Sequence, residues 1–78
     1  MEHVDGKTIK LRITYYRKCK GIKIEKLAEA AGISTRYLAH LVAENSPFNP
    51  TFKVLYAIAA ALDTPLYKFL IPDELWEP

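Results

Sequence analysis

A glycine between two short helical patterns constrains this 78-residue chain more than any other feature of its sequence. Leu27 and Ala31 place small and apolar groups on one face of a first helix, and Leu38 and Leu41 repeat at helical spacing in a second. Gly32 stands between them, and glycine most readily takes the left-handed conformation that a helix C-terminus often needs. The stretch therefore predicts two helices joined by a tight turn.

Residues around the turn indicate how the two helices cross. Ser34 is a good N-cap for the second helix. Ala28, four residues before Gly32, offers only a methyl group where two helices cross steeply, and Ile33 can fill the corner between them. This combination is typical of a helix-turn-helix.

A further helix is predicted upstream, from about Lys7 to Lys20, with Gly21 as its stop signal. Residues 1–6 are expected to form a frayed lead-in. Leu11 and Tyr15 lie off the apolar stripe, so they are either exposed or packed against the C-terminal tail. The stripe itself consists of Ile9, Ile13 and Tyr16.

Downstream, Asn49 is the predicted N-cap of a fourth helix, about Pro50–Leu62. This helix is apolar on most sides, so it is either buried centrally or meets a partner subunit. A break at residues 63–65 leads to a fifth, short helix over residues 66–71, which ends at Pro72. The two apolar stripes of the fourth helix are Phe52, Leu55, Ala59 and Leu62, and Val54, Ile58 and Ala61.

The loop between the third and fourth helices has two notable residues. Asn45 is the nearest candidate for a left-handed residue after the third helix. Phe48 is predicted to plug the core, and an exposed contact is the alternative role.

Composition bounds the class of protein. Half of the residues are hydrophobic, enough for the core of one small domain over residues 1–78, and no apolar run approaches the roughly 20 residues of a membrane span. The N-terminus lacks an apolar signal region, so we expect a cytoplasmic protein. Cys19 is the only cysteine, which excludes an internal disulfide and fits a reducing compartment.

Catalytic and metal chemistry have little support. Cys19, His3 and His40 do not stand at metal-ligand spacing, so we expect no metal site. The chain contains no Ser/His/Asp grouping, phosphate loop or paired carboxylates around a glycine-rich turn. We therefore expect no enzymatic activity, no cofactor and no small-molecule ligand.

Charge is distributed unevenly along the chain. Residues 1–36 contain nine Lys or Arg and four acidic residues, a net charge of +5, whereas residues 37–78 contain two and five, a net charge of −3. The total of +2 is too small to indicate nucleic acid by itself. The polarity nevertheless suits a domain that places one face against phosphates.

The segment IKIEKLAEAAGISTRYLAHL resembles the DNA-binding segment of the Cro and phage-repressor (Xre) family. The resemblance extends over about residues 7–70 and leaves 71–78 as a tail. It implies an all-α, compact five-helix, lambda-repressor-like domain whose helix-turn-helix is formed by helices 2 and 3. The residues at the family's pattern positions are Leu27, Ala28, Gly32, Ile33, Ser34, Leu38 and Leu41.

In this architecture the second helix of the motif enters the major groove, and its N-terminal residues reach base edges. Arg36 can pair with guanine, unless it is an ordinary surface arginine. His40 can reach a base or phosphate, or simply lie on the surface, and Tyr37 can approach the sugar-phosphate edge or cover the core. Thr35 can contact a thymine methyl, a base or a phosphate. The predicted DNA-binding residues are Lys23, Ser34, Thr35, Arg36, Tyr37, His40, Asn45 and Ser46.

The chain departs from the family at two of these places. Ile24 occupies a position where the family favours glutamine for phosphate binding, which leaves Lys23 as the better phosphate partner. Val42 replaces an acidic residue that in the family often pairs with the first-helix arginine. Glu44 is a candidate to take over that pairing with Arg17.

Two functions fit this pattern. The first is a sequence-specific, DNA-binding transcriptional regulator, a repressor that binds double-stranded operator DNA as a homodimer. The alternative is an antitoxin or accessory module that masks a protein partner and regulates its own promoter. The candidate dimer surface comprises the second stripe of the fourth helix, Leu66, Phe69, Leu70, Leu75 and Trp76, although Trp76 can equally fold back onto its own subunit.

Overall fold

The computed structural model describes residues 4–78. The first three residues of the expected lead-in, among them His3, lie outside the described residues. Over this range, the backbone forms four α-helices followed by two short 3-10 turns. The all-α class is confirmed, and the predicted fifth helix is a 3-10 turn instead. The elements are α1 (Gly6–Cys19), α2 (Ile24–Ala31), α3 (Thr35–Val42), α4 (Phe52–Ala61), and 3-10 turns at Leu66–Phe69 and Asp73–Leu75.

The first helix begins one residue earlier than predicted because it has a side-chain cap. The Asp5 carboxylate accepts a hydrogen bond from the Thr8 backbone N–H at 2.8 Å, which lowers the pKa of Asp5. Residues 5 and 6 are therefore part of the helix start, and not of a frayed lead-in. At the other end, Gly21 takes the left-handed conformation with φ 65°, as expected of the stop signal.

The turn between α2 and α3 has the predicted geometry. Gly32 is left-handed, with φ 74°, and the Ile33 N–H donates to the Ala28 carbonyl at 3.0 Å. The Ser34 hydroxyl accepts from the Tyr37 N–H at 3.0 Å and so caps α3. Ala28 is buried at the crossing, Ile33 packs against the core, and the helix-turn-helix is confirmed.

We expect Gly32→Val to lower the free energy of unfolding by about 2 kcal/mol, because a β-branched residue strongly resists a positive φ. No atom lies within 4 Å of a Cβ built at this position, so the loss comes from the backbone and not from a clash. Urea unfolding followed by circular dichroism measures it. Gly32→Asn is the matched control and is expected to lose less, since asparagine tolerates this conformation. An unchanged midpoint for the valine variant would contradict the prediction.

The core lies where the helix-turn-helix meets α1, α4 and the first 3-10 turn. α2 packs against both α3 and α4, and α1 packs against α3 and the Leu66–Phe69 turn. The two leucines of α3 are fully buried, so the second helix of the motif is anchored from below. The largest fully buried side chains are Ile13, Leu27, Leu38, Leu41, Ile58, Leu62 and Phe69.

Predictions for the start of α4 were wrong in detail. Thr51, and not Asn49, is the N-cap, and its hydroxyl accepts from the Val54 N–H at 3.2 Å. The Asn49 side-chain amide instead lies against Gly6 at the start of α1, close enough to exclude a Cβ there. Phe52 is 69% exposed, so it does not belong to the buried stripe that contains its helical neighbours.

The end of α3 also differs from the prediction. Ala43 leaves the helix in an extended conformation, with φ −63° and ψ 133°. Asn45 is not left-handed, because Asp63, with φ 51°, is the one non-glycine residue of the described range with a positive φ. The third helix therefore ends without a left-handed cap.

The C-terminal tail folds back onto its own subunit. The Trp76 indole N–H donates to the Tyr16 hydroxyl at 2.9 Å, and its ring stands edge-on to Tyr15 with centroids 5.4 Å apart. Tyr15 thus packs against the tail, one of its two expected roles, and a hydrogen bond with Cys19 raises the pKa of the Tyr15 hydroxyl. Leu11 is exposed, the other expected role.

This packing corrects the candidate dimer surface. Ile58 and Phe69 are fully buried and cannot contact a partner, and Trp76 is engaged within the chain. Large apolar side chains that remain exposed near the C-terminus are Tyr67, Leu70 and Leu75. None of the helices within residues 4–78 has the length and apolar character needed to cross a membrane.

Candidate nucleic-acid interface

The third helix presents a polar face to solvent above its two buried leucines. Leu38 and Leu41 have no exposed surface, and because they are three residues apart they fix the rotation of α3 about its own axis. The opposite face is therefore held outward. Its exposed residues are Thr35, Arg36, Tyr37, Ala39 and His40.

Four of the predicted DNA-binding residues share one open cleft of about 360 Å³ on this face. Ser34, Arg36 and His40 contribute the polar groups, and Arg36 and His40 lie one helical turn apart. The exposed apolar surface comes from Tyr37 and Phe48. We call this feature the α3 cleft. It is lined by Ser34, Arg36, Tyr37, His40, Leu41 and Phe48.

Phe48 does not plug the core, and that prediction was wrong. Its side chain is 57% exposed and lines the α3 cleft, so the exposed role is the one the structure has. Its backbone N–H donates to the Ser46 hydroxyl at 3.1 Å, which turns the loop locally. The loop thus places the Phe48 side chain beside α3.

Lys10, on α1, holds the loop that carries Phe48. Its side chain is only 5% exposed, and its ammonium group donates to the Ser46 carbonyl oxygen at 2.7 Å. A hydrogen bond from a charged donor is stronger than one between neutral groups. Sequence reasoning missed Lys10, although its position three residues before buried Ile13 places it on the inward face of α1.

The remaining predicted residues lie outside the α3 cleft. Thr35 is exposed in the first turn of α3. Lys23 is exposed at the N-cap of α2 and makes no side-chain cap hydrogen bond, so its ammonium group is available at the start of that helix. Asn45 is exposed in the loop, and Ser46 is half-buried, with its carbonyl and hydroxyl oxygens both accepting internal hydrogen bonds.

Arg17 has a different partner from the one predicted. Its guanidinium group donates to the Ile22 carbonyl oxygen at 2.8 Å, within the turn that precedes α2. Glu44 is exposed, and the ion pair found within residues 4–78 joins Arg12 to Asp73 instead. The loop before α2, which carries Lys23, is therefore held by an arginine–carbonyl bond and not by an ion pair across the domain.

The described residues do not bring together three or more His, Cys, Asp or Glu side chains in a group able to hold a metal ion. Cys19 is exposed as a free thiol, and His40 stands in the α3 cleft beside an arginine. The chemistry this face offers is hydrogen bonding and charge, combined with apolar contact.

Comparison with known proteins places this arrangement among regulators. The helix-turn-helix family matches residues 13–69. The HTH-type transcriptional regulator SinR of Bacillus subtilis (strain 168) is 37% identical over 59 residues, which cover 76% of this chain and 52% of SinR. The SinR of Bacillus licheniformis matches to the same extent, so the chain spans about half the length of the curated relatives it matches.

Solved structures show the same backbone. The biofilm master regulator SinR in complex with DNA superposes with a TM-score of 0.70 and 36% identity, and the match covers 78% of this chain and 95% of that one. The clp gene regulator ClgR from C. glutamicum has a TM-score of 0.72 at 24% identity, over 81% and 79% of the two chains, a likeness of fold alone. These likenesses confirm the predicted all-α, lambda-repressor-like fold, with four α-helices and 3-10 turns in place of the five helices expected.

Proposed function

Because this chain belongs to the Xre/Cro-type helix-turn-helix family of DNA-binding transcriptional regulators, we propose that it represses transcription by occupying operator DNA as a dimer. The observation that carries the proposal is the exposed polar face of α3, held outward by two fully buried leucines. Repression here is steric exclusion. The family is non-enzymatic, in agreement with the sequence prediction, and no chemical step is involved.

Base reading is assigned to the exposed residues of α3, from its first turn to the turn that contains His40. Arg36 is exposed, and its guanidinium group can donate two parallel hydrogen bonds to guanine O6 and N7 in the major groove. His40, one turn further along, and Thr35, in the first turn, flank it on the same exposed face. SinR, 36% identical over the aligned region, was solved in complex with DNA, which supports a DNA-facing role for the corresponding helix here.

Backbone contacts are assigned to residues on either side of α3. Lys23 is exposed at the α2 N-terminus, where backbone N–H groups and the helix dipole also favour a phosphate. Asn45 is exposed in the loop after α3. The Ser46 hydroxyl oxygen accepts from the Phe48 N–H, which leaves the hydroxyl proton free to be donated to a phosphate. The net charge of +5 on residues 1–36 favours the same phosphates over a longer range.

Dimerisation is assigned to the exposed apolar residues near the C-terminus, Tyr67, Leu70 and Leu75. A single domain of this kind makes few base contacts, and a two-fold dimer doubles them by reading two half-sites about 34–36 Å apart. We also propose that the protein acts in the cytoplasm, where it can reach DNA.

Selection of binding sites from random double-stranded DNA tests the proposal as a whole. We expect enrichment of a palindrome whose half-sites lie about one helical turn apart. Enrichment of a single, non-repeated half-site would overturn the dimer. Failure to enrich any sequence, with co-purification of a protein that blocks the α3 face, would favour the masking function instead.

We expect Arg36→Ala to lower discrimination at one base pair per half-site by about 1–3 kcal/mol, while the fold is retained, because Arg36 is exposed and contributes nothing to the core. Affinity for the selected operator and for single-base variants, measured by fluorescence anisotropy, gives the result. Retained preference at every position would contradict the assignment.

Lys23→Ala is the matched control for a cation that contacts phosphate and not a base. We expect it to weaken binding to all sequences alike. The slope of log affinity against log salt concentration should become shallower by about 1, the value for one lost phosphate contact. A loss confined to particular sequences would show that Lys23 reads bases.

A further inference from the structure

We propose that Phe48 and Tyr37 form an apolar seat for the methyl group of one thymine in each half-site, next to the base read by Arg36. This inference deepens the proposed function and rests on it. It assigns base recognition to a side chain in the loop after α3, in addition to the helix itself.

The first support is that two exposed aromatic rings line the same cleft as the arginine proposed to read a base. Phe48 is 57% exposed and Tyr37 is 39% exposed, and both line the α3 cleft together with Arg36. Neither ring gains full burial from its own subunit. Leu41, which also lines the cleft, is fully buried, so the apolar surface open to a ligand belongs to the two rings.

The second support is that Phe48 is held in place. Its N–H donates to the Ser46 hydroxyl, and the carbonyl of the same serine accepts from buried Lys10. Proline on either side of the Phe48–Asn49 pair further restricts the loop. Because the backbone that carries the ring is already held, less conformational freedom is lost on binding.

The chemistry of the cleft selects thymine. The thymine C5-methyl is the apolar group that base edges present in the major groove, whereas guanine presents two acceptors there. Arg36 and His40 supply hydrogen-bonding groups on the rim of the α3 cleft, and the two rings supply apolar surface beside them. The cleft is thus continuous with the proposed DNA-binding face and complements a base step that combines guanine with thymine.

Replacement of individual thymines by deoxyuridine tests the proposal, because it removes the methyl group and leaves base pairing intact. With the selected operator, we expect wild-type affinity to fall about fourfold at one thymine position per half-site, the factor that corresponds to about 0.8 kcal/mol for one buried methyl group. We expect Phe48→Ala to bind the thymine and deoxyuridine operators equally. Fluorescence anisotropy gives both affinities, and circular dichroism verifies that the variant is folded.

Phe52→Ala is the matched control, since Phe52 is another exposed phenylalanine, 69% accessible, that does not line the α3 cleft. It is expected to keep the fourfold preference for thymine. Three results would overturn the seat: no thymine at which wild-type affinity changes, a preference that survives in Phe48→Ala, or a loss in Phe48→Ala that is the same for both operators. The last result would indicate a sugar contact.

These results are separable from failure of the proposed function. If the selected operator binds and Arg36→Ala loses base discrimination on it, any of the three results rejects the methyl seat and leaves the proposed function intact. Absence of a selected operator removes both proposals together.

Discussion

Arg12→Ala is expected to release the C-terminal tail and to lower the free energy of unfolding by about 2–4 kcal/mol. The Arg12 side chain is 2% exposed, and its guanidinium group donates to the Ile71 carbonyl at 2.6 Å and to the Lys68 carbonyl at 3.3 Å. It also lies 4.9 Å from the centroid of the Trp76 ring. Alanine would leave two carbonyl groups without this donor and a gap beneath the indole.

Trp76 is the only tryptophan of the chain, so its fluorescence reports the tail directly. In Arg12→Ala we expect the emission to shift to the red at urea concentrations where circular dichroism still shows folded helices. In the wild type the two signals are expected to change together. Coincident transitions in the variant would mean that the tail is held by other contacts.

Asp73→Asn separates the ion pair from the rest of the Arg12 site. The Arg12–Asp73 bond is short, 2.8 Å, but the aspartate side chain is 78% exposed, so water and salt screen the pair. We therefore expect Asp73→Asn to change the free energy of unfolding by less than about 1 kcal/mol. A loss as large as that of Arg12→Ala would assign the stabilisation to charge pairing and not to the carbonyl and indole contacts.

The helix-turn-helix was predictable because its signals are local. Gly32 needs a positive φ, Ser34 caps the next helix through a bond to a residue three positions away, and the spacing of Leu38 and Leu41 reports the buried face of one helix. Each of these depends on neighbours in sequence. The structure reproduces all three at the predicted positions.

The C-terminal contacts were not predictable in the same way. Trp76 meets Tyr16 across 60 residues, and Arg12 meets Asp73 across 61, so no local pattern pairs them. The position of Arg12, four residues before buried Tyr16, was a usable signal that it faces inward.

Errors around the loop after α3 have a common physical cause. Asn49 followed by Pro50 is a typical start of a helix, which suggested Asn49 as the cap. A phenylalanine in a loop is typically buried, which suggested that Phe48 fills the core. Thr51 also offers a capping hydroxyl and is the residue that caps α4, while Lys10 draws the loop toward α1 through the Ser46 carbonyl. The resulting path of the loop leaves the Phe48 side chain exposed, and this side chain forms part of the apolar lining of the α3 cleft.

The candidate site was also predictable only where its signals are local in sequence. That Arg36 and His40 point outward follows from helical periodicity, so the exposed face of α3 was predictable. That they share a cleft with Phe48 depends on how a loop packs against another helix, which periodicity does not describe.

Leu38→Ala is expected to lower the free energy of unfolding by about 2–5 kcal/mol, the loss typical of a leucine truncated inside a core. The side chain is fully buried, and removal of three carbon groups leaves a cavity between α3 and the rest of the core. For a chain of 78 residues the total stability is about 4–12 kcal/mol, so this loss takes a large part of it. Thermal unfolding should shift by about 4–8 °C for each kcal/mol.

Ala39→Ser, on the adjacent and exposed position of α3, is the matched control and is expected to change the free energy of unfolding by less than about 0.5 kcal/mol. If the two variants were equally stable, Leu38 would not be what holds α3 in its rotation, and the outward direction of Arg36 and His40 would lose its physical cause. A Leu38→Ala protein that still folds provides a stricter test. Because α3 is then packed less firmly, we expect the operator affinity of the variant to fall at temperatures well below its own unfolding midpoint, whereas the wild type should bind up to the temperature at which it unfolds.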